Sequence, residues 1–230
     1  MAIDLQKYLA EQYQKSIIKG KKPGPVITIS RDYGCSAKDV AEKLANKLNE
    51  LKPKMDEKSA WTWINKEVFE GTAKALHLKT SRVLHVFDGE KKNFIEGIIL
   101  SSAEKYYTSD QKIEKKIIEI VRSYAVQGYV IIIGLGSVSI TRDIEKSIHI
   151  KLQAPFKWRV ERMANKLSKS VEEISKCTKA IDKKRIALRE SFKTKSNMEE
   201  LFDMTFNVMT MKPDEIVESI ITLMKLRSLI

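Results

Sequence analysis

The hydrophobic pattern of the chain is a series of short β-branched runs, each followed by a segment of helical period. Val26-Ile27-Thr28-Ile29-Ser30 follows Pro23-Gly24-Pro25 and reads as a buried strand. After Arg31-Asp32-Tyr33-Gly34 the period changes. Val40, Ala41, Leu44, Ala45 and Leu48 fall on one face of a helix that starts near Ser36 or Ala37, and Pro53 closes the region. Trp61-Thr62-Trp63-Ile64 reads as a second strand whose tryptophans share a face, with Asn65 placed to cap a helix reaching about Leu76. Residues 77–110 are weakly periodic and rich in Lys and Ser, and read as one or two helices with a connection. Ile113, Ile117, Ile120, Val121 and Tyr124 mark a helix over 112–127 that Gly128 stops. Tyr129 to Ile133 is the strongest strand signal and runs into Gly134-Leu135-Gly136. Strands at 147–152 and 204–208 and helices at 155–167, 170–190 and 213–227 complete the pattern, the last with Pro213 in its first turn.

Strands alternating with helices predict an α/β fold with a mostly parallel sheet of about five strands, covered on both faces. The length of 230 residues suits a single domain, with an N-terminal amphipathic helix over 1–24 packed on it. Two cysteines, Cys35 and Cys177, make neither a disulfide framework nor a four-cysteine zinc site and suit a reducing compartment. The N-terminus lacks the apolar run of a secretory signal, and no stretch has the length of a bilayer span, so the expected location is the cytoplasm with no membrane partner.

Charge brings in the chemistry. The formal net charge of +12 asks for an anionic partner, and residues 151–195 carry ten Lys and four Arg against five Asp and Glu. Arg159 and Arg162, and Arg185 and Arg189, are spaced to share helix faces, and the guanidinium fork matches phosphate oxygens. The plain alternative is a solvated basic hairpin. A strand passing through a glycine turn into a helix is also how a phosphate loop is built, because backbone N–H groups converge at the helix N-terminus. Gly34-Cys35-Ser36-Ala37-Lys38-Asp39 keeps one glycine and one lysine of such a loop but lacks the full G-x-x-x-x-G-K-[ST] pattern, and on spacing alone any strand-to-helix turn would serve. Cys35 reads as a plain replacement for serine and His149 as a core residue. His77 and His85 have no metal-ligand partner at useful spacing, and no metal-ligand set is expected.

Ile27-Thr28-Ile29-Ser30-Arg31-Asp32-Tyr33-Gly34 with Val40-Ala41 resembles the opening I-T-I-S-R-E-[FY]-G-S-G-G-R-x-I-A of the cytidylate kinase-like family. The likeness continues in order through Gly128 to Gly134, Ala154 to Arg162, Asp182 to Arg185 and Asp203 to Asn207, covering about residues 25–225. The resemblance implies the three-layer fold of P-loop nucleoside monophosphate kinases, with an acceptor-binding insertion at about 65–112 and a basic lid at about 155–195. It implies transfer of a phosphoryl group from ATP, with Mg²⁺, to a nucleoside monophosphate such as CMP, without a specific nucleic-acid partner. By the same resemblance Ser30, Arg31, Gly34, Cys35, Ser36, Ala37, Lys38 and Asp39 would cradle the donor. Lys38, Arg159, Arg162, Arg185 and Arg189 would stabilise the transferring group in one shared cleft. Gly134, Gly136, Asp182, Lys91 and Lys92 would meet the acceptor. Among the departures from the family pattern, two glycines are Ser36 and Ala37, the arginine after the loop is Lys38, and the arginine at the later strand end is Leu135. These departures lead to an expectation of weak transfer to CMP, raised by changing Leu135 to Arg together with Ser36 and Ala37 to Gly. A nucleotide-binding relative that transfers nothing, and a basic nucleic-acid-binding protein, are the rival readings.

Overall fold

The computed structural model describes residues 24–51, 60–65, 111–192 and 202–230, with the backbone alone for 111–116. The expected helix over 1–24, most of the insertion at 65–112 with Lys91 and Lys92, and the end of the 155–195 region lie outside the described residues. Five strands form one sheet: β1 (Val26–Arg31), β2 (Thr62–Ile64), β3 (Val130–Ile133), β4 (Ser147–Gln153) and β5 (Met204–Asn207). Their spatial order is β2-β3-β1-β4-β5, and every pairing is parallel. The helices are α1 (Lys38–Glu50), α2 (Gln111–Gln127), α3 (Ser137–Ile140), α4 (Phe156–Leu167), α5 (Val171–Ser191) and α6 (Pro213–Leu226). Each sequence-expected element within the described residues is present, with ends shifted by a residue or two. The helix after β1 starts at Lys38, and α3 is an element the periodicity did not announce.

The β-branched strands are buried because helices cover both faces. Ile27, Ile29, Ile131, Ile133, Ile148 and Ile150 pack on one face beneath α1 and α6, and Trp61 joins them. Val26, Val130 and Ile132 pack on the other beneath α2 and α3. A third, smaller cluster joins Tyr33 to α4 and α5 through Val160, Met163, Ile174, Cys177 and Ile181. It is closed at the start of α5 by a capping box, in which Ser170 Oγ accepts from the Glu173 N–H and the Glu173 carboxylate accepts from the Ser170 N–H.

The topology fixes where a ligand can go. From β1 the chain leaves for β2 at one edge, whereas from β3 it crosses to β4 on the far side of β1. Adjacent parallel strands whose connections part in this way open a crevice at their carboxyl ends. Here that crevice lies between the ends of β1 and β3. This is a three-layer α/β sheet of the P-loop-like kind.

Candidate functional site

The crevice is small, with a cavity volume of about 30 Å³, and is lined by Ser30 and Arg31 from β1, Gly134, Leu135 and Gly136 after β3, and Arg185, Leu188 and Arg189 from α5. Gly134, Leu135 and Gly136 all have positive φ, at 74°, 61° and 66°, so the chain makes a left-handed turn there. A Cβ at 134 would stand 2.1 Å from Arg31 Nη1, so a side chain there would push the flexible end of Arg31 aside. The Arg31 guanidinium therefore lies across the end of β3.

Arg189 is the unusual member. It is buried, its Nε has no hydrogen-bond partner, and it makes no ion pair among the described residues. Burial pulls its pKa down, and the nearby Asp32 only partly opposes this. Of its acidic neighbours Asp32, Asp182 and Glu190, the first two are committed elsewhere. Asp32 pairs with Lys151, and Asp182 pairs with Arg159 at 2.7 Å. A buried cation that pairs directly with none of its neighbouring carboxylates is costly to keep.

The loop between β1 and α1 is as tightly held as the crevice is open. Asp32 N–H donates to Leu152 O and Asp32 O accepts from Cys35 N–H. Tyr33 N–H donates to Asp182 Oδ1 at 2.7 Å. Gly34 has φ +87°, and a Cβ there would meet Arg159 Cβ and Met163 Cγ at 3.2 Å, so the loop sits directly on α4. Ser36 and Ala37 do not have positive φ, so this backbone does not need the two absent glycines. Ser36 Oγ donates to Asp39 Oδ2. Cys35 is buried and its thiol is pushed up to about 11, chiefly by burial and then by Asp32, which makes it an inert structural residue.

The expectation that Lys38 and four arginines share one cleft is not met. Arg185 and Arg189 line the crevice. Arg162 lines a second cavity of about 170 Å³ at the start of α1, with Ser36, Asp39, Trp158, Val208, Met211 and Pro213. Arg159 is buried and lines neither. Lys38 is exposed, and its Nζ sits 5.9 Å from the centroid of the Trp63 ring. Locally, Arg159 and Arg162 on α4 reach loop carbonyls from one side while Arg185 on α5 reaches the Arg31 carbonyl, so the groups are spread around the loop. Asp182 faces the loop, and Gly134 and Gly136 form the crevice wall.

Sequence reasoning missed the polar face of β1 and β4. Thr28, Ser30, His149 and Lys151 lie across the two strands in register. Lys151 pairs with Asp32, while burial draws its pKa down. The signal was available: Ser147, His149, Lys151 and Gln153 alternate with Ile148, Ile150 and Leu152. In a sheet covered on both faces, polar alternation is not a solvent pattern. His149 is fixed by three partners. Ser147 Oγ donates to Ile144 O at 2.6 Å, so it accepts from His149 Nε2–H; Nδ1 then accepts from Thr28 Oγ1 at 2.8 Å. The His149 N–H donates to Asp203 Oδ2. This network needs the neutral ring, and burial lowers the His149 pKa below its ordinary 6.5 against the opposing charge of Asp203. A histidine with a lowered folded pKa contributes stability above about 6.5 that is lost as pH falls below it. The melting temperature is therefore expected to drop between pH 7.5 and pH 5.5, and the drop should shrink in His149→Gln, as calorimetry at the two pH values would show.

Among the described residues there is no group of three or more potential metal ligands, and no helix is long and apolar enough to cross a membrane. The model of the cytidylate kinase-like family matches residues 26–210, and the chain belongs to that family. Among solved structures it is similar to an uncharacterized protein from Eubacterium ventriosum, with 16% sequence identity and a TM-score of 0.56. That match covers 87% of this chain and 97% of the other, and shows the shared fold. No curated protein matches.

Proposed function

We propose that the protein is a nucleotide-dependent phosphotransferase that moves the γ-phosphoryl group of ATP, or a similar nucleoside triphosphate, to a nucleoside monophosphate such as CMP. The observation that carries this reading is the buried, unpaired Arg189 in a crevice it shares with Arg31 and Arg185 at the carboxyl ends of β1 and β3. Phosphoryl transfer is catalysed by positioning and by fixed charge on the transferring oxygens, and a desolvated guanidinium supplies that charge without reorganising. Arg31 across Gly134 offers a cation where Leu135 has none. The cavity beside Trp158, with its apolar wall of Val208, Met211 and Pro213, is suited to the donor base, and Lys38 and Asp39 stand at the first turn of α1. Mg²⁺ would neutralise donor phosphate oxygens, with Asp39 as the carboxylate the chain offers it in place of a hydroxyl. The acceptor would be held by the insertion at 65–112 with Lys91 and Lys92, in one domain whose 155–195 region borders the crevice.

Thermal stability across a panel of nucleoside mono- and triphosphates, with and without Mg²⁺, tests this. A ligand at a hundred times its Kd adds about 2.7 kcal/mol. In a chain of this size that is a rise of roughly 5–11 °C. The expected pattern is selective stabilisation by one triphosphate and one monophosphate, followed by detectable transfer between them. Stabilisation by a triphosphate without transfer would make the protein a binding relative. An equal response to any polyanion, lost steeply with salt, would favour a nucleic-acid-binding surface.

A further inference from the structure

A tight loop buried between a strand and two helices must find partners for its carbonyl groups as well as its N–H groups. Besides the Cys35 N–H on Asp32 O, three carbonyl partners here are arginines. Arg159 Nη1 donates to Tyr33 O at 2.9 Å, Arg162 Nη1 donates to Gly34 O, and Arg185 Nη1 donates to Arg31 O at 3.2 Å. Each guanidinium also lies near an aromatic ring: Arg159 on Phe156, Arg162 on Trp158 and Arg185 on Tyr33. Arg159 is the most committed. Its Nε donates to Ala154 O at 3.0 Å, and Nη1 reaches Asp182 Oδ2 at 2.7 Å. The other oxygen of that carboxylate accepts the Tyr33 N–H. Both backbone groups of Tyr33 are thus held by one ion pair that spans α4 and α5.

We infer that Arg159 is a positioning residue that holds the β1–α1 loop in its working shape, and that α4 and α5 act on the loop as a fixed bracket. The inference deepens the phosphotransferase reading and rests on it for the identity of the ligand, but the bracket itself stands on hydrogen bonds alone. It explains how a loop with Ser36 and Ala37 in place of glycines keeps its path: the shape is imposed from outside by donors and one acceptor. It also divides the arginines by role. Arg159 lines neither cavity, so any effect it has on transfer must pass through the loop.

The test compares wild type with Arg159→Lys and Asp182→Asn. Lysine keeps the charge beside Asp182 but cannot reach Ala154 O, Tyr33 O and the carboxylate together. Asparagine keeps an acceptor for the Tyr33 N–H and loses the ion pair. Amide hydrogen exchange is read at residues 33–37, with α6 as the internal control, and steady-state kinetics are read for the triphosphate. Exchange at 33–37 is expected to quicken at least tenfold in Arg159→Lys with α6 unchanged, and KM for the triphosphate to rise more than kcat falls. Asp182→Asn should quicken exchange at the same segment. If exchange at 33–37 is unchanged in both variants, or if kcat falls tenfold at unchanged KM, the bracket is overturned and Arg159 becomes a clamp on the transferring group. If wild type binds and transfers no nucleotide, the phosphotransferase reading fails while the exchange result still decides the bracket.

Discussion

Arg189→Met is expected to melt at a higher temperature than the wild type and to lose its response to phosphate and nucleotides. The two effects share a cause. Arg189 is 8% exposed, has an unpaired Nε, and faces neighbours whose carboxylates already serve Lys151 and Arg159. Methionine keeps the stem's packing and removes the desolvated charge. Replacing buried charge by an apolar residue of like volume stabilises by about 1–4 kcal/mol where the charge is poorly compensated. For a chain of this size each kcal/mol moves the melting temperature by roughly 2–4 °C. Transfer should suffer in the opposite direction, because removing one preorganised donor to a developing charge costs on the order of 10²–10³ in turnover. Melting curves with and without 10 mM phosphate, read beside a transfer assay, check both halves. A variant that melts lower than wild type and still answers to nucleotide would make Arg189 a structural residue. A rise in stability coupled to lost function is the expected mark of a site whose charge is kept for a ligand.

The contrast between Arg189 and Arg159 shows where the sequence was legible and where it was not. Hydrophobic period found β1 to β5 and the long helices, because strands covered on both faces are continuous apolar runs and the surface helices carry one apolar stripe. It did not find α3, whose four residues are too few to show a helical period. The glycine turns, Gly34 after β1 and Gly134 after β3, were legible, but the crevice follows from the spatial order of the strands. The arginines were legible as a set and not as individuals. Spacing put Arg159 beside Arg162 and Arg185 beside Arg189, but spacing cannot tell a guanidinium that meets a carbonyl from one left with no partner. That distinction depends on the path of the loop in three dimensions, which in turn depends on Asp182, a residue 149 positions from its partner Tyr33. Lys151 was passed over because a lysine in a strand was read with the surrounding charge run; only the register with Ser30 shows that it faces the crevice side of the sheet.

Leu135 is the position at which the structure most changes the expectation. The family arginine at this strand end is why Leu135→Arg, together with Ser36→Gly and Ala37→Gly, was expected to raise transfer. Instead Leu135 is 3% exposed and joins the cluster of Val130, Ile132, Ile120, Val121 and Ile140 beneath α2 and α3. Arginine at 135 has two courses. Within that cluster it would leave a guanidinium without a partner, a change that costs several kcal/mol. Turned into the crevice, it would meet Arg31, Arg185 and Arg189 and add like charge to three arginines. Position 135 also has φ +61°, which neither leucine nor arginine adopts freely, so the substitution brings no relief of backbone strain. Leu135→Arg is therefore expected to lower the unfolding free energy by about 3–5 kcal/mol and to leave little folded protein at 37 °C. Adding Ser36→Gly and Ala37→Gly should lower it further, since both positions hold ordinary backbone angles and glycine only loosens the unfolded chain. Urea unfolding of the single and triple variants gives the values directly. A Leu135→Arg protein as stable as wild type, and faster in transfer to CMP, would show that the crevice accepts a fourth arginine and that Arg31 does not already serve in its place.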